Sequence, residues 1–128
     1  MDVNDEHGAK IAKISTGAIL SPDAEIVAYV RKNTVRDASG VIRGYVRHGM
    51  VIGPDGEGLA LYSSNTLSTY SKSTTLTFTG KTVKNVIGNV ILHFNEDYIS
   101  YLEELVAYIV FFSEYWREQK QTLSLTVK

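Results

Sequence analysis

The chain has 128 residues, enough for one domain or a small domain with an appendage. A hydrophobic fraction of 44%, 21% charged residues and a net charge of −1 exclude a disordered chain or a globally nucleic-acid-binding one. Cysteine is absent, which removes disulfides, thiolate catalysis and sulfur-ligated metals from consideration.

The first residues, Met1 to Gly8, contain neither the basic nor the apolar segment of a signal peptide. The longest apolar run, Leu105 to Phe112, is far shorter than the roughly 20 residues of a membrane helix. A soluble cytoplasmic protein is expected.

From residue 9 the chain repeats every 16 residues, in segments 9–24, 25–40, 41–56, 57–72 and 73–88. The eleventh position reads Ile19, Val35, Val51, Leu67 and Val83. The fourth reads Ala12, Ala28, Gly44 and Ala60, then Leu76, and the sixth reads Ile14, Val30, Val46, Tyr62 and Phe78. Residues 3–8 fit as half a unit, and Asn89 to Phe94 begin another.

Each unit reads as a hairpin. Positions two to seven alternate with β-branched and aromatic enrichment, as in Ile26 to Arg31 and Ile42 to Arg47. Lys32-Asn33, His48-Gly49 and Ser64-Asn65 suit tight turns that need positive φ. A short return strand follows, then a wider turn such as Asp37-Ala38-Ser39-Gly40 or Gly53-Pro54-Asp55-Gly56. Successive hairpins continue as an antiparallel meander. Small residues at the fourth position point to a crowded core layer, or to strands converging on the axis of a closed ring of about four hairpins. The fold class expected is α+β: a hairpin array over residues 1–94, then a long helix and a short final strand over 95–128.

The pairing of Asp37-Ala38-Ser39-Gly40 with Ile42-Arg43-Gly44-Tyr45-Val46 resembles the bacterial four-fold β-flower proteins. The likeness covers residues 9–72 clearly and 73–94 loosely. It implies a fold and no established activity, and it does not account for the C-terminal helix.

Beyond Asn95 the period becomes helical, up to about Lys120. Asn95 is the expected N-cap, with Glu96 and Asp97 in the first turn. Tyr98, Leu102, Leu105, Ile109, Phe112 and Trp116 form a heptad seam on a helix about 36 Å long. Tyr108, Val110, Phe111 and Tyr115 lie off that seam and widen the apolar surface. With no second long helix available, the seam either docks on the array or meets another copy, making a homo-oligomer. Thr122 to Val127 alternate and read as a final strand.

Charge is uneven: residues 25–48 carry a local +3 and residues 96–118 a local −5. Tyr29 and Arg31 share one strand face, and Arg43, Tyr45 and Arg47 are expected on the matching face one unit on. Such a face could take phosphate, carboxylate or a nucleic-acid backbone, although the plainer reading is a solvated sheet face. His7, His48 and His93 fall in unrelated slots, so no metal or other cofactor is expected. Gly53 to Gly58 lacks the lysine and following helix of a phosphate loop. Asp23, Asp37 and Asp55 read as turn formers rather than catalytic carboxylates. Twelve Ser or Thr residues between Ser63 and Thr82 suit an exposed strand face, or conceivably a carbohydrate surface.

Three functions remain open. The favoured one is a non-enzymatic interaction module that self-associates through its helix. The second is a binding module for an anionic ligand on Tyr29, Arg31, Arg43, Tyr45 and Arg47, with nucleic acid the less expected partner. The third, an enzyme, has no positive sign.

Overall fold

The computed structural model describes residues 1–71 and 74–116. Its strands are β1 (Asp2–Asp5), β2 (Lys10–Ser15), β3 (Ala18–Leu20), β4 (Ile26–Arg31), β5 (Thr34–Asp37) and β6 (Ile42–Arg47). Then come β7 (Met50–Ile52), β8 (Gly58–Tyr62), β9 (Thr66–Ser68), β10 (Thr75–Thr79), β11 (Thr82–Lys84) and β12 (Val90–Phe94). Every strand pairs antiparallel with its chain neighbour, and the ring shuts into a closed barrel. The lock is β1 against β12, with Val3 opposite Phe94 and Asp5 opposite Leu92. The half-unit at the head and the half-unit at residues 89–94 therefore complete one another. The ring holds six hairpins rather than about four, and closure leaves no open sheet edge.

The sequence period survives as a bonding period. Ile14, Val30, Val46, Tyr62, Phe78 and Phe94 each donate their N–H to the carbonyl 13 residues earlier, at 2.8–3.0 Å. Asn33 and Gly49 sit at hairpin tips with φ of 67° and 79°, and Asn65 occupies the corresponding tip. At the other end of the barrel, three of the wide turns share one device. Asp37 Oδ1 accepts from the N–H groups of Ser39 at 2.9 Å and Val41 at 3.0 Å. Asp5 does the same for His7 and Ala9, and Asn85 for Ile87 and Asn89. A short polar side chain here thus replaces the turn's missing backbone partners.

The fourth, sixth and eleventh positions all face inward. Ala12, Ala28, Ala60, Leu76 and Leu92 form one ring with Gly44, while Val3, Ile19, Val35, Val51, Leu67 and Val83 form another, fully buried. About eight strands enclose only enough space for side chains, so twelve leave a wider lumen that must be filled. The helix fills it. It runs as a 3₁₀ turn (Tyr98–Tyr101), an α-helix α1 (Leu102–Ala107) and a π-helical turn (Tyr108–Phe112). Leu105 to Val110 are six consecutive buried residues, which covers every side of the helix. Its start is held at the tight-tip end, where Tyr98 N–H donates to Gly80 O at 3.1 Å and the Tyr98 hydroxyl donates to Ser64 O. Its end emerges beside Asp5 and Glu6 at the wide-turn end. A helix suits this enclosure because its backbone bonds are satisfied within the segment.

Small residues at the fourth position make room for this helix. Four successive units carry Ala12, Ala28, Gly44 and Ala60, and α1 packs against β2, β4 and β6 of that side. Leu76 and Leu92 fill the remaining side. The strands do not converge on their own axis; they stand back from a helix set off-centre.

Two expectations about the helix are corrected. The helix is 15 residues rather than a long one, because Ser113 is extended (φ −105°, ψ 164°) and its Oγ donates back to Ile109 O at 2.6 Å. A serine bonding four residues back competes with continuing the helix. The N-cap is Asp97, which accepts from Ile99 N–H at 2.9 Å. Asn95 instead holds β1, accepting from Asp2 N–H at 2.7 Å. The expected final strand, Thr122 to Val127, lies outside the described residues.

Candidate functional site

Two surfaces carry chemistry. The first is the outside of β4, β5 and β6. Alternation turns Val30 and Val46 inward, which leaves Tyr29, Arg31, Tyr45 and Arg47 on the outer face. Each arginine lies over the tyrosine two residues before it, with Arg31 Cζ 4.8 Å from the Tyr29 ring centre and Arg47 Cζ 5.7 Å from that of Tyr45. β5 lies between the two strands, a lateral separation of about 9.5 Å or two strand spacings, and the register sets Arg31 level with Tyr45 across Thr34, so the two pairs are staggered along the sheet. Arg36 is opposite Tyr29 and donates to Gly40 O at 3.0 Å. Among the described residues no carboxylate forms an ion pair with Arg31, Arg36 or Arg47.

Arg43 does not join that face. The register of β5 on β6 shifts between Val35 and Arg36, pairing Val35 with Gly44 and Arg36 with Ile42 and passing over Arg43. This bulge reorients Arg43, as an extra residue in one strand does. Its guanidinium lies 5.6 Å from the Phe112 ring centre and 3.8 Å from Asp37 Oδ2, at the wide-turn end. Strand alternation alone cannot reveal this, because a bulge breaks the two-residue period.

The second surface is a cleft of about 480 Å³ where the helix leaves the barrel. Tyr108, Phe112 and Tyr115 are its aromatic lining residues, and Asp5, Glu6 and Glu114 its acidic ones. Ile11 and Ser113 complete the lining. Tyr108 is 7% exposed and its hydroxyl has no hydrogen-bond partner among the described residues. No buried side-chain oxygen in the described residues is sealed off without a partner, so this hydroxyl opens to the cleft. Burial, helped by Tyr115 and Glu114, pushes the Tyr108 hydroxyl pKa up to about 12. Tyr108 and Tyr115 lie off the heptad seam, which was the one sequence trace of this site. Asp5 and Glu6 come from the opposite end of the chain, and only closure of the barrel brings them here.

The seam residues have a plain location. Leu105 and Ile109 are fully buried in the barrel, Tyr98 and Trp116 are buried, and Leu102 and Phe112 pack partly buried against the same core. At the tight-tip end the carboxylates of α1 bond to the barrel. Glu104 accepts from Gly17 N–H at 3.0 Å, and Glu103 accepts from the Tyr62 hydroxyl at 3.1 Å. Burial and the nearby Glu103 push the Tyr62 pKa up to about 12. His7 and His48 lie in turns and His93 is exposed on β12, far apart in the repeat. The glycines of Gly53 to Gly58 belong to a wide turn closed by Gly53 N–H on Glu57 O at 2.8 Å.

No protein-family model matches the chain, and neither a curated protein nor a solved structure matches it. No helix among the described residues is long and apolar enough to cross a membrane. The strands, three to six residues long, also fall short of the about 9–11 residues of a bilayer-spanning strand.

Proposed function

We propose that this chain is a non-enzymatic binding module that takes an extended anionic ligand on the outer face of β4 to β6. The single supporting observation is the pair of stacked arginines, Arg31 on Tyr29 and Arg47 on Tyr45, free of carboxylate ion pairs among the described residues. A guanidinium lying over a ring is pre-oriented, so less side-chain freedom is lost on binding, and its edge still presents N–H donors to phosphate, sulfate or carboxylate oxygens. Two such pairs on strands about 9.5 Å apart, staggered along the sheet, suit a chain bearing repeated negative charges better than a single ion. The β-flower likeness rests on the hairpin motif and adds no activity to this reading.

Self-association through the helical seam is less well supported, since presenting Leu105 and Ile109 to another copy would require opening the barrel. The binding face is tested by heparin chromatography with increasing salt. Wild type should be retained at low salt despite its net charge of −1, and Arg31→Ala with Arg47→Ala should elute earlier at unchanged melting temperature. Lys81→Ala with Lys84→Ala, on the far side of the ring, should elute like wild type. Failure of wild type to bind at low salt would reject the proposal.

A further inference from the structure

The geometry points to a second, separate site: the cleft at the wide-turn mouth binds a small organic cation of the alkylated-ammonium class. Three features converge. Tyr108, Phe112 and Tyr115 are three of the residues lining a space of about 480 Å³, within the range of small-ligand sites. Ring faces attract cations, and more strongly when water is partly excluded. One ring already shows this preference within the chain, since Arg43 lies over Phe112.

The charged residues that line the cleft have one sign, with Arg43 against Phe112 outside that lining. Asp5, Glu6 and Glu114 line the cleft, and among its lining residues none is basic. Asp5 is anchored by its Oδ1, which accepts from His7 and Ala9 N–H groups, so its carboxylate is held in place before any ligand arrives. Glu6 lies 3.6 Å from His7 Nε2, and Glu114 has no ion pair among the described residues. An anion is disfavoured by these carboxylates, and a hydrated metal ion by the three aromatic residues of the lining. An ammonium carrying methyl groups satisfies both.

The Tyr108 hydroxyl supplies the polar contact independent of the acids. It belongs to a residue 93% buried, lies at the cleft and has no partner among the described residues. Burial and the neighbouring Tyr115 and Glu114 keep it protonated, so it can donate to a hydroxyl or carbonyl on the ligand. The π-helical turn Tyr108–Phe112 places Tyr108 and Phe112 at the mouth, and π turns recur at binding sites.

The probes are choline and its uncharged isostere 3,3-dimethylbutan-1-ol, titrated into the full chain while tyrosine ring resonances are followed by NMR. Choline should saturate, and the isostere should bind roughly tenfold more weakly. Glu114→Gln, at an exposed position, should weaken choline several-fold without unfolding the protein. Tyr108→Phe should weaken choline but leave tetramethylammonium, which has no hydroxyl, unaffected. Equal binding of choline and the isostere would leave only an apolar cleft and overturn the inference. So would shifts that grow linearly without saturation, or wild-type affinity in Glu114→Gln. Because none of these residues lies on the β4 to β6 face, either site can fail without the other.

Discussion

A β-carbon built on Gly44 would lie 2.5 Å from Cζ of Phe111 and 2.3 Å from the carbonyl oxygen of Ile52. The helix therefore touches the backbone of β6 directly, at a position where φ is +155°. Neither neighbour can yield easily, since one is backbone and the other a ring inside the barrel. Gly44→Ala should destabilise the fold by about 3 kcal/mol through overpacking and backbone strain. Ala60→Gly, which creates no clash, should cost only about 1 kcal/mol. Urea denaturation of the two variants checks the contrast.

Leu105 and Ile109 are fully buried against the chain's own strands. Leu105→Ala and Ile109→Ala should each cost about 3 kcal/mol, the usual loss for a large aliphatic in a closed core. That loss should not depend on protein concentration, because the chain's own strands already bury both side chains. Denaturation midpoints over a hundredfold concentration range would decide it, for a seam between copies predicts a midpoint that moves.

Alkaline pH should weaken the fold. Burial holds the hydroxyls of Tyr62 and Tyr108 protonated up to about 12, while in the unfolded chain tyrosine ionises near pH 10. Folding thus favours the neutral form of both. Their contribution is intact below about pH 10 and is lost as the pH rises towards 12. Burial and the neighbouring Asp97 raise the Tyr98 hydroxyl as well, so ultraviolet titration should show three tyrosines ionising late, and Tyr108→Phe should remove one of them and flatten part of the alkaline stability loss.

The aspartates of the wide turns should separate into two groups. Asp37 accepts from two N–H groups and lies 3.8 Å from Arg43, whereas Asp23 and Asp55 accept no hydrogen bond among the described residues. Asp37→Ala should cost about 1–2 kcal/mol, and Asp23→Ala or Asp55→Ala within about 0.5 kcal/mol of nothing. Thermal melts of the three variants provide the check. Sequence reading treated all three as equivalent turn formers, but only the first position of the turn reaches the N–H groups two and four residues ahead.

Hairpin tips at Asn33, Gly49 and Asn65 were legible in the chain because turn chemistry is local: positive φ selects Gly and Asn wherever the fold places them. The inward ring of Ile19, Val35, Val51, Leu67 and Val83 was legible for the same reason, through two-residue alternation. Closure was only half legible, since a 16-residue period is indifferent to how many units complete the ring. That number depends on Val3 finding Phe94, a pairing between the first and last strands of the ring. The helix shows the sharper divide. A seam of Tyr98, Leu102, Leu105, Ile109, Phe112 and Trp116 demands burial but does not specify what buries it, and the residues flanking the seam signalled burial on more than one side. Only the tertiary structure supplied the answer, because the space that accepts the helix exists nowhere in the sequence. It forms when twelve strands close and Ala12, Ala28, Gly44 and Ala60 stand back from the centre.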